Sequence, residues 1–156
     1  MSLHSFKVIQ KIPVPLAKAW DFFSSPANLQ AITPSQMNFR TISKYDGDKV
    51  YEGQIIEYRV SPYFRIPLYW MTEIAEVVDG VYFIDEQKKG PYSLWRHQHH
   101  FKTIEGGVEM TDIVHYKIPF GWLGDLLNKI LIKNKLRRIF EYRYQKTEEL
   151  LGKWPE

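Results

Sequence analysis

Between Leu94 and Lys102 the chain reads Leu-Trp-Arg-His-Gln-His-His-Phe-Lys, an alternation of period two that marks a strand with one buried face. Its aromatic side carries Trp95, His97, His99 and Phe101, so two histidines stand in an apolar row. Burying an imidazole without partners costs on the order of 1–3 kcal/mol per unsatisfied group. The fold therefore has to supply carboxylates, water, a metal or a ligand.

Register alone proposes the partners. Gly106-Gly107 supplies the positive φ values of a tight hairpin turn, and a second alternating run follows from Val108 to Ile118. Directly opposed residues of a hairpin point to one face. The apolar set of the second run is Met110, Asp112, Val114, Tyr116 and Ile118, which places Asp112 opposite His99 or Phe101. On the other flank Phe83, Asp85 and Gln87 align with the histidine row if no bulge intervenes. The expected result is a ladder, Asp85 and Gln87 beside His97 and His99 beside Asp112.

The rest of the chain has a simple order. His4–Ile12 reads as a strand, and Pro15 suits the first turn of a helix running to Phe23. A second short helix is expected from Pro26 to about Ala31, capped by Ser25 and stopped at Thr33-Pro34. Strands are then expected at about 38–44, 50–60, 66–78, 81–88, 93–104 and 108–118. Turn signals at Asp46-Gly47, Ser61-Pro62, Asp79-Gly80, Gly90-Pro91 and Gly106-Gly107 separate them. From Leu123 to Leu151 only Gly124 interrupts residues that are neither glycine nor proline, and Leu123, Leu126, Leu127, Ile130, Leu131, Leu136, Ile139, Phe140, Leu150 and Leu151 recur near helical spacing. A seven-stranded antiparallel sheet has to bury one face, and this helix is the element large enough to cover it. The 156 residues are read as a single domain, with 15% aromatic residues that can wall a cavity as readily as fill a core. Cysteine is absent, the net charge is +3, and neither an apolar leader nor a membrane-length apolar stretch is seen. A cytoplasmic protein is expected, without nucleic acid as a partner.

In this element order, and in the phrases Asn28–Pro34, Trp70-Met71-Thr72, Phe83–Tyr92, Trp95–His99 and Asp112–Pro119, the sequence resembles the START-related superfamily with the helix-grip fold. That superfamily includes plant allergens, lipid-transfer domains and bacterial polyketide cyclases. The likeness extends to a bacterial ligand-binding subgroup, some of whose members are joined to a sugar-nucleotide-epimerase-like domain. The resemblance implies an α+β helix-grip fold: a curved seven-stranded antiparallel sheet around a long carboxy-terminal helix, with two short helices after the first strand. It also implies a hydrophobic cavity between sheet and helix.

Four readings of the histidines stand side by side. They form a structural network that fixes register, or a polar anchor for a ligand head group. Alternatively they act in general acid–base catalysis with Asp85 or Asp112 orienting an imidazole, or they bind a metal. Neither a nucleophile elbow nor a phosphate-binding glycine loop is present. No cofactor and no metal is expected. The expected function is binding of a small hydrophobic or amphipathic molecule, with Trp70, Phe83, Trp95, Phe101, Met110, Tyr116 and Ile130 as apolar walls. His97, His99, Asp85 and Asp112 form the polar patch, and they are also the candidate catalytic residues of the alternative, a cyclase or dehydratase. A third reading is an interaction module assisting a partner enzyme. Lys129, Lys133, Lys135, Arg137, Arg138, Arg143 and Lys146 read as a solvated outer helix face, or as one that meets anionic lipid. The segment Val60–Leu68 reads as a hairpin connection or a lid, with Arg65 available to a ligand carboxylate.

Overall fold

The hairpin at Gly106-Gly107 organises the sheet, and the two glycines serve different ends. Gly106 adopts φ +87°, whereas a Cβ on Gly107 would stand 2.1 Å from the Ile12 carbonyl oxygen. The first thus supplies the turn that L residues resist, and the second lets strand one approach. The computed structural model describes residues 2–43 and 49–156, so the expected Asp46-Gly47 turn lies outside the described residues.

The strands are β1 (His4–Ile12), β2 (Arg40–Thr41), β3 (Ile55–Val60), β4 (Leu68–Val78), β5 (Tyr82–Lys89), β6 (Leu94–Ile104) and β7 (Gly107–Lys117). They form one seven-stranded antiparallel sheet in the order β1-β7-β6-β5-β4-β3-β2. β2 is shorter than the expected 38–44 strand, and β3 starts at Ile55 because Gly53 turns the chain at φ +87°. Helix α1 (Leu16–Phe23) follows β1. In place of a second α-helix come three 3-10 turns, Pro26–Asn28, Gln30–Ile32 and Ser35–Met37. Pro26 and Pro34 leave too few residues between them for a stable α-helical run.

The carboxy-terminal helix runs unbroken from Gly121 to Leu151, as α2 (Gly121–Leu127), a π-helical turn (Asn128–Ile132) and α3 (Lys133–Leu151). The extra residue per turn resets the inward face. Gly124, Asn128, Ile132, Leu136 and Phe140 face in, four apart, while Leu123, Leu126 and Ile130 are 45%, 44% and 63% exposed. A stripe drawn at 3.6 residues per turn misassigned these three. Asn128, a polar residue on the inner face, accepts a 2.7 Å hydrogen bond from the Tyr116 hydroxyl.

Two apolar clusters hold the layers together. One gathers Ile12, Ala19, Trp20, Phe83, Phe101, Val108, Met110 and Leu151 under α1. The other joins Tyr92, Val114, Ile118, Ile132, Leu136 and Phe140 between sheet and helix. Met110, 2% exposed, sits in the first. Met110→Ala is expected to cost about 2–5 kcal/mol of stability, read as a lower urea midpoint at an unchanged slope.

Candidate functional site

β6 carries the histidines, and its neighbours present the carboxylates. Register sets Asp85 opposite His97, and Asp112 opposite His99. The hydrogen bonds cross this register diagonally. His97 Nε2–H donates to Asp112 Oδ1 at 2.8 Å, and His99 Nε2–H donates to Asp85 Oδ2 at 2.7 Å. The two rings stack with centroids 3.7 Å apart, and Phe83 stacks on the far side of His99 at 4.1 Å. His97, His99 and Asp112 are buried, while Asp85 is half-buried. Gln87 stands outside this ladder, contrary to expectation. It bonds both backbone groups of Tyr92 and braces the β5–β6 turn.

Arg143 completes the cluster, and it is the residue that a reading of the helix as uniformly basic on its outside misplaced. Leu136, Phe140, Arg143 and Thr147 fall on one helix face, so the guanidinium points inward rather than to solvent. Its Nη2 lies 3.9 Å from Asp112 Oδ1, and the group sits over the rings of Phe140 and Phe23 at 5.7 and 6.0 Å.

These contacts pull the titrating groups apart. Burial alone would raise Asp112, but the Arg143 charge, the His97 hydrogen bond and the adjacent His99 imidazole hold it well below the usual carboxylate range. Asp85 is lowered too, the His99 bond and nearby positive charges overcoming burial. Burial and the neighbouring His99 charge push His97 down. For His99 the hydrogen bonds and charges of both carboxylates outweigh burial and push it up. The two stacked imidazoles are thus pushed in opposite directions, His97 down and His99 up.

A cavity opens beside this cluster, in two adjoining lobes that share Asp85, His99 and Arg143. The larger, about 160 Å³, is walled by Leu29, Ile32, Met37, Phe39, Tyr58, Val60, Tyr63, Trp70, Tyr92, Trp95, Leu136, Ile139 and Phe140, with His97 at its polar end. The smaller, about 70 Å³, adds Phe83 and Ile74. Of the expected wall residues, Trp70 and Trp95 thus line the larger lobe and Phe83 the smaller. Phe101 and Met110 are packed in the closed core under α1, and Asp112 lies behind the histidines. Tyr116 faces a separate groove between β1 and the helix. Ile130 is turned to solvent by the π turn. Arg65 is exposed, and Arg143 is the cation that reaches the cavity. Tyr63, in the segment read as a connection or a lid, lines the larger lobe, whereas Tyr58 and Tyr92 were missed because their surroundings gave no alternation.

Three of the residues that line the larger lobe each carry a buried nitrogen without a hydrogen-bond partner: Trp70 Nε1, His99 Nδ1 and Arg143 Nε. His99 Nδ1 lies 3.3 Å from Asp112 Oδ1 but outside hydrogen-bonding alignment. Among the described residues, Asp85, His97 and His99 also bring donor atoms within 4.8 Å of one another, a set that could hold a metal. Both Nε2 atoms are already engaged by carboxylates, however, and the Arg143 guanidinium opposes a dication.

No family model matches the chain, and no curated protein matches it. Solved structures do. Protein CV1439 from Chromobacterium violaceum superimposes with a TM-score of 0.72 over 97% of this chain and 98% of that one, at 9% identity. Ara h 8.0201 gives 0.62 over 95% and 99%, at 14% identity. The nucleoside-diphosphate sugar epimerase from Corynebacterium glutamicum gives 0.64 over 92% of this chain but only 28% of its own length, at 19% identity. At these identities the likeness establishes the helix-grip fold.

Asp112 titrates below its ordinary 3.8 in the folded protein, so its stabilisation is complete above that value and is lost as pH falls through and below it. Arg143→Met removes the main opposing charge. The variant is expected to lose about 1.5–3 kcal/mol at neutral pH and to show a shallower acid limb than the parent. Chemical denaturation across the acid range reads both.

Proposed function

We propose that the protein binds a small amphipathic molecule bearing hydrogen-bond acceptors in the sheet–helix cavity. The supporting observation is that three residues walling one apolar cavity each carry a buried, unpartnered nitrogen. Each buried unsatisfied group costs about 1–3 kcal/mol, and a carbonyl or carboxylate placed among Trp70, His99 and Arg143 offsets that cost. Trp70 Nε1–H and Arg143 Nε–H are donors in any protonation state, and the two carboxylates push the His99 imidazole toward holding a second proton. Size limits the guest: cavities of about 150 Å³ accept a single aromatic ring, so a molecule of one or two rings suits the two lobes.

A second reading rests on the paired histidines. Two stacked imidazoles whose proton affinities are pushed in opposite directions separate proton acceptor from proton donor. His97 donates through Nε2 to Asp112, which leaves Nδ1 as the basic nitrogen, and His99 is the acid. A cyclase or dehydratase of this kind would remove a proton beside a carbonyl and return one to the oxygen. With the native ligand in hand, His97→Ala separates the readings. An enzyme loses turnover and keeps binding, while a carrier loses affinity.

Native mass spectrometry of the purified protein, set against its denatured mass, is expected to reveal a discrete ligand released on unfolding. Naphthoic acid, an aromatic carboxylate, is expected to bind the emptied protein by calorimetry. Trp70→Phe should weaken that binding by about two- to tenfold, the worth of one hydrogen bond, and Ile139→Trp should abolish it by filling the cavity. Absence of any ligand mass, together with probe binding indifferent to Ile139→Trp, would sink the proposal.

A further inference from the structure

The pairings Val60–Leu68, Met71–Lys89, Leu94–Lys117 and His4–Tyr116 gather the β3–β4 loop, the β5–β6 turn, the β7–α2 connection and the amino-terminal residues at one end of the sheet. Hydrogen bonds and ring contacts tie these segments together. The Tyr63 and Tyr92 hydroxyls lie 3.2 Å apart, Tyr92 meets the Tyr116 ring edge-on at 5.9 Å, and Tyr116 bonds Asn128. The most exposed large apolar side chains of the described residues belong to this end or to the helix leaving it: Phe64 (81%), Trp122 (78%), Phe120 (71%) and Ile130 (63%). Ordinary folding drives such groups inward.

Backbone conformation reinforces the display. Phe64, Arg65 and Phe120 hold φ at 53°, 58° and 79°, where bulky L residues are rarely found. The strain coincides with aromatic rings that face solvent. Charge then identifies what they face. Lys129, Lys133 and Arg137, four residues apart, are exposed along one side of the helix, and Arg65 is exposed on the loop. Between Ile113 and Phe140 the only carboxylate is Asp125, which accepts a 3.0 Å bond from the Ser2 hydroxyl.

We propose that this end of the molecule docks on an anionic lipid bilayer, with Trp122, Phe120 and Phe64 at the interface and Lys129, Lys133 and Arg65 against lipid phosphates. Aromatic side chains beside long cationic ones match a bilayer's apolar–anionic boundary. A two-fold contact with a second copy would instead set one lysine cluster against another. This inference stands apart from the cavity reading, although Tyr63 and Tyr92, which line the cavity, belong to the loops that would touch the lipid.

Flotation with vesicles tests it. The protein is expected to float with phosphatidylcholine–phosphatidylglycerol vesicles, to bind phosphatidylcholine alone more weakly, and to be released by salt. Lys129→Ala and Lys133→Ala should each weaken binding roughly fivefold, and Phe64→Ser with Trp122→Ser should abolish it. Circular dichroism should be unchanged, because all four side chains are exposed. Failure of the parent protein to float overturns the proposal, as does binding indifferent to these variants. A parent that is dimeric without lipid, becomes monomeric in the serine variant and ignores vesicles would assign the patch to a second copy and overturn it as well. Ile139→Trp should leave flotation intact, so failure of the cavity reading and failure of this one are distinguishable.

Discussion

Two carboxylates held against two stacked imidazoles, inside a sheet that buries nearly all of their surface, set the terms for the rest of the structure. Each histidine bonds a carboxylate one step off its register partner, so the links run diagonally across β5, β6 and β7. Shifting any of these strands by one residue would send a charged group to the opposite face. Asp112 then needs positive charge from above the sheet, and Arg143 supplies it from the helix. The polar cluster thereby fixes both the register of the central strands and the side of the helix that faces them.

The same cluster leaves the cavity unequal in character. Its walls are rings and aliphatic chains, while one end presents donors in excess of acceptors. Asp85 and Asp112 are matched by Arg143 and by the two histidines that bond them. A guest held there is therefore selected by placed hydrogen bonds more than by net charge. The helix-grip scaffold is shared at identities of 9% and 14%, where side chains have diverged, so the character of this cavity belongs to the chain's own residues.

Much of this was legible in the sequence, for a physical reason. Period-two alternation reports which side of a strand is buried, so Trp95, His97, His99 and Phe101 could be assigned to one face, and the turn glycines narrowed the residue opposite Asp112 to His99 or Phe101, of which it is His99. Burial, however, does not tell a cavity wall from a filled core: Phe101 and Met110 face inward yet pack solidly beneath α1. Helical periodicity failed where the helix itself departs from 3.6 residues per turn, which turned Ile130 outward. Arg143 was overlooked because a cation among cations reads as surface, although its spacing from Phe140 and Thr147 put it on the buried face. The 3-10 turns between Pro26 and Met37, and the tyrosines they help to enclose, carry no periodic signal at all.

The π turn divides the long helix into two mechanically different parts. Beyond it, Leu136, Phe140, Thr147 and Leu151 are buried, and Arg143 fastens that half to Asp112. Before it, α2 keeps Gly124 as its only buried residue, and Asn128 provides the main polar tie to the sheet. A π turn already departs from regular helical hydrogen bonding, so bending there disturbs less than bending elsewhere. The wall that the helix gives to the cavity, Leu136, Ile139, Phe140 and Arg143, belongs wholly to the longer arm, so a displacement of the short arm leaves the space for a guest unchanged.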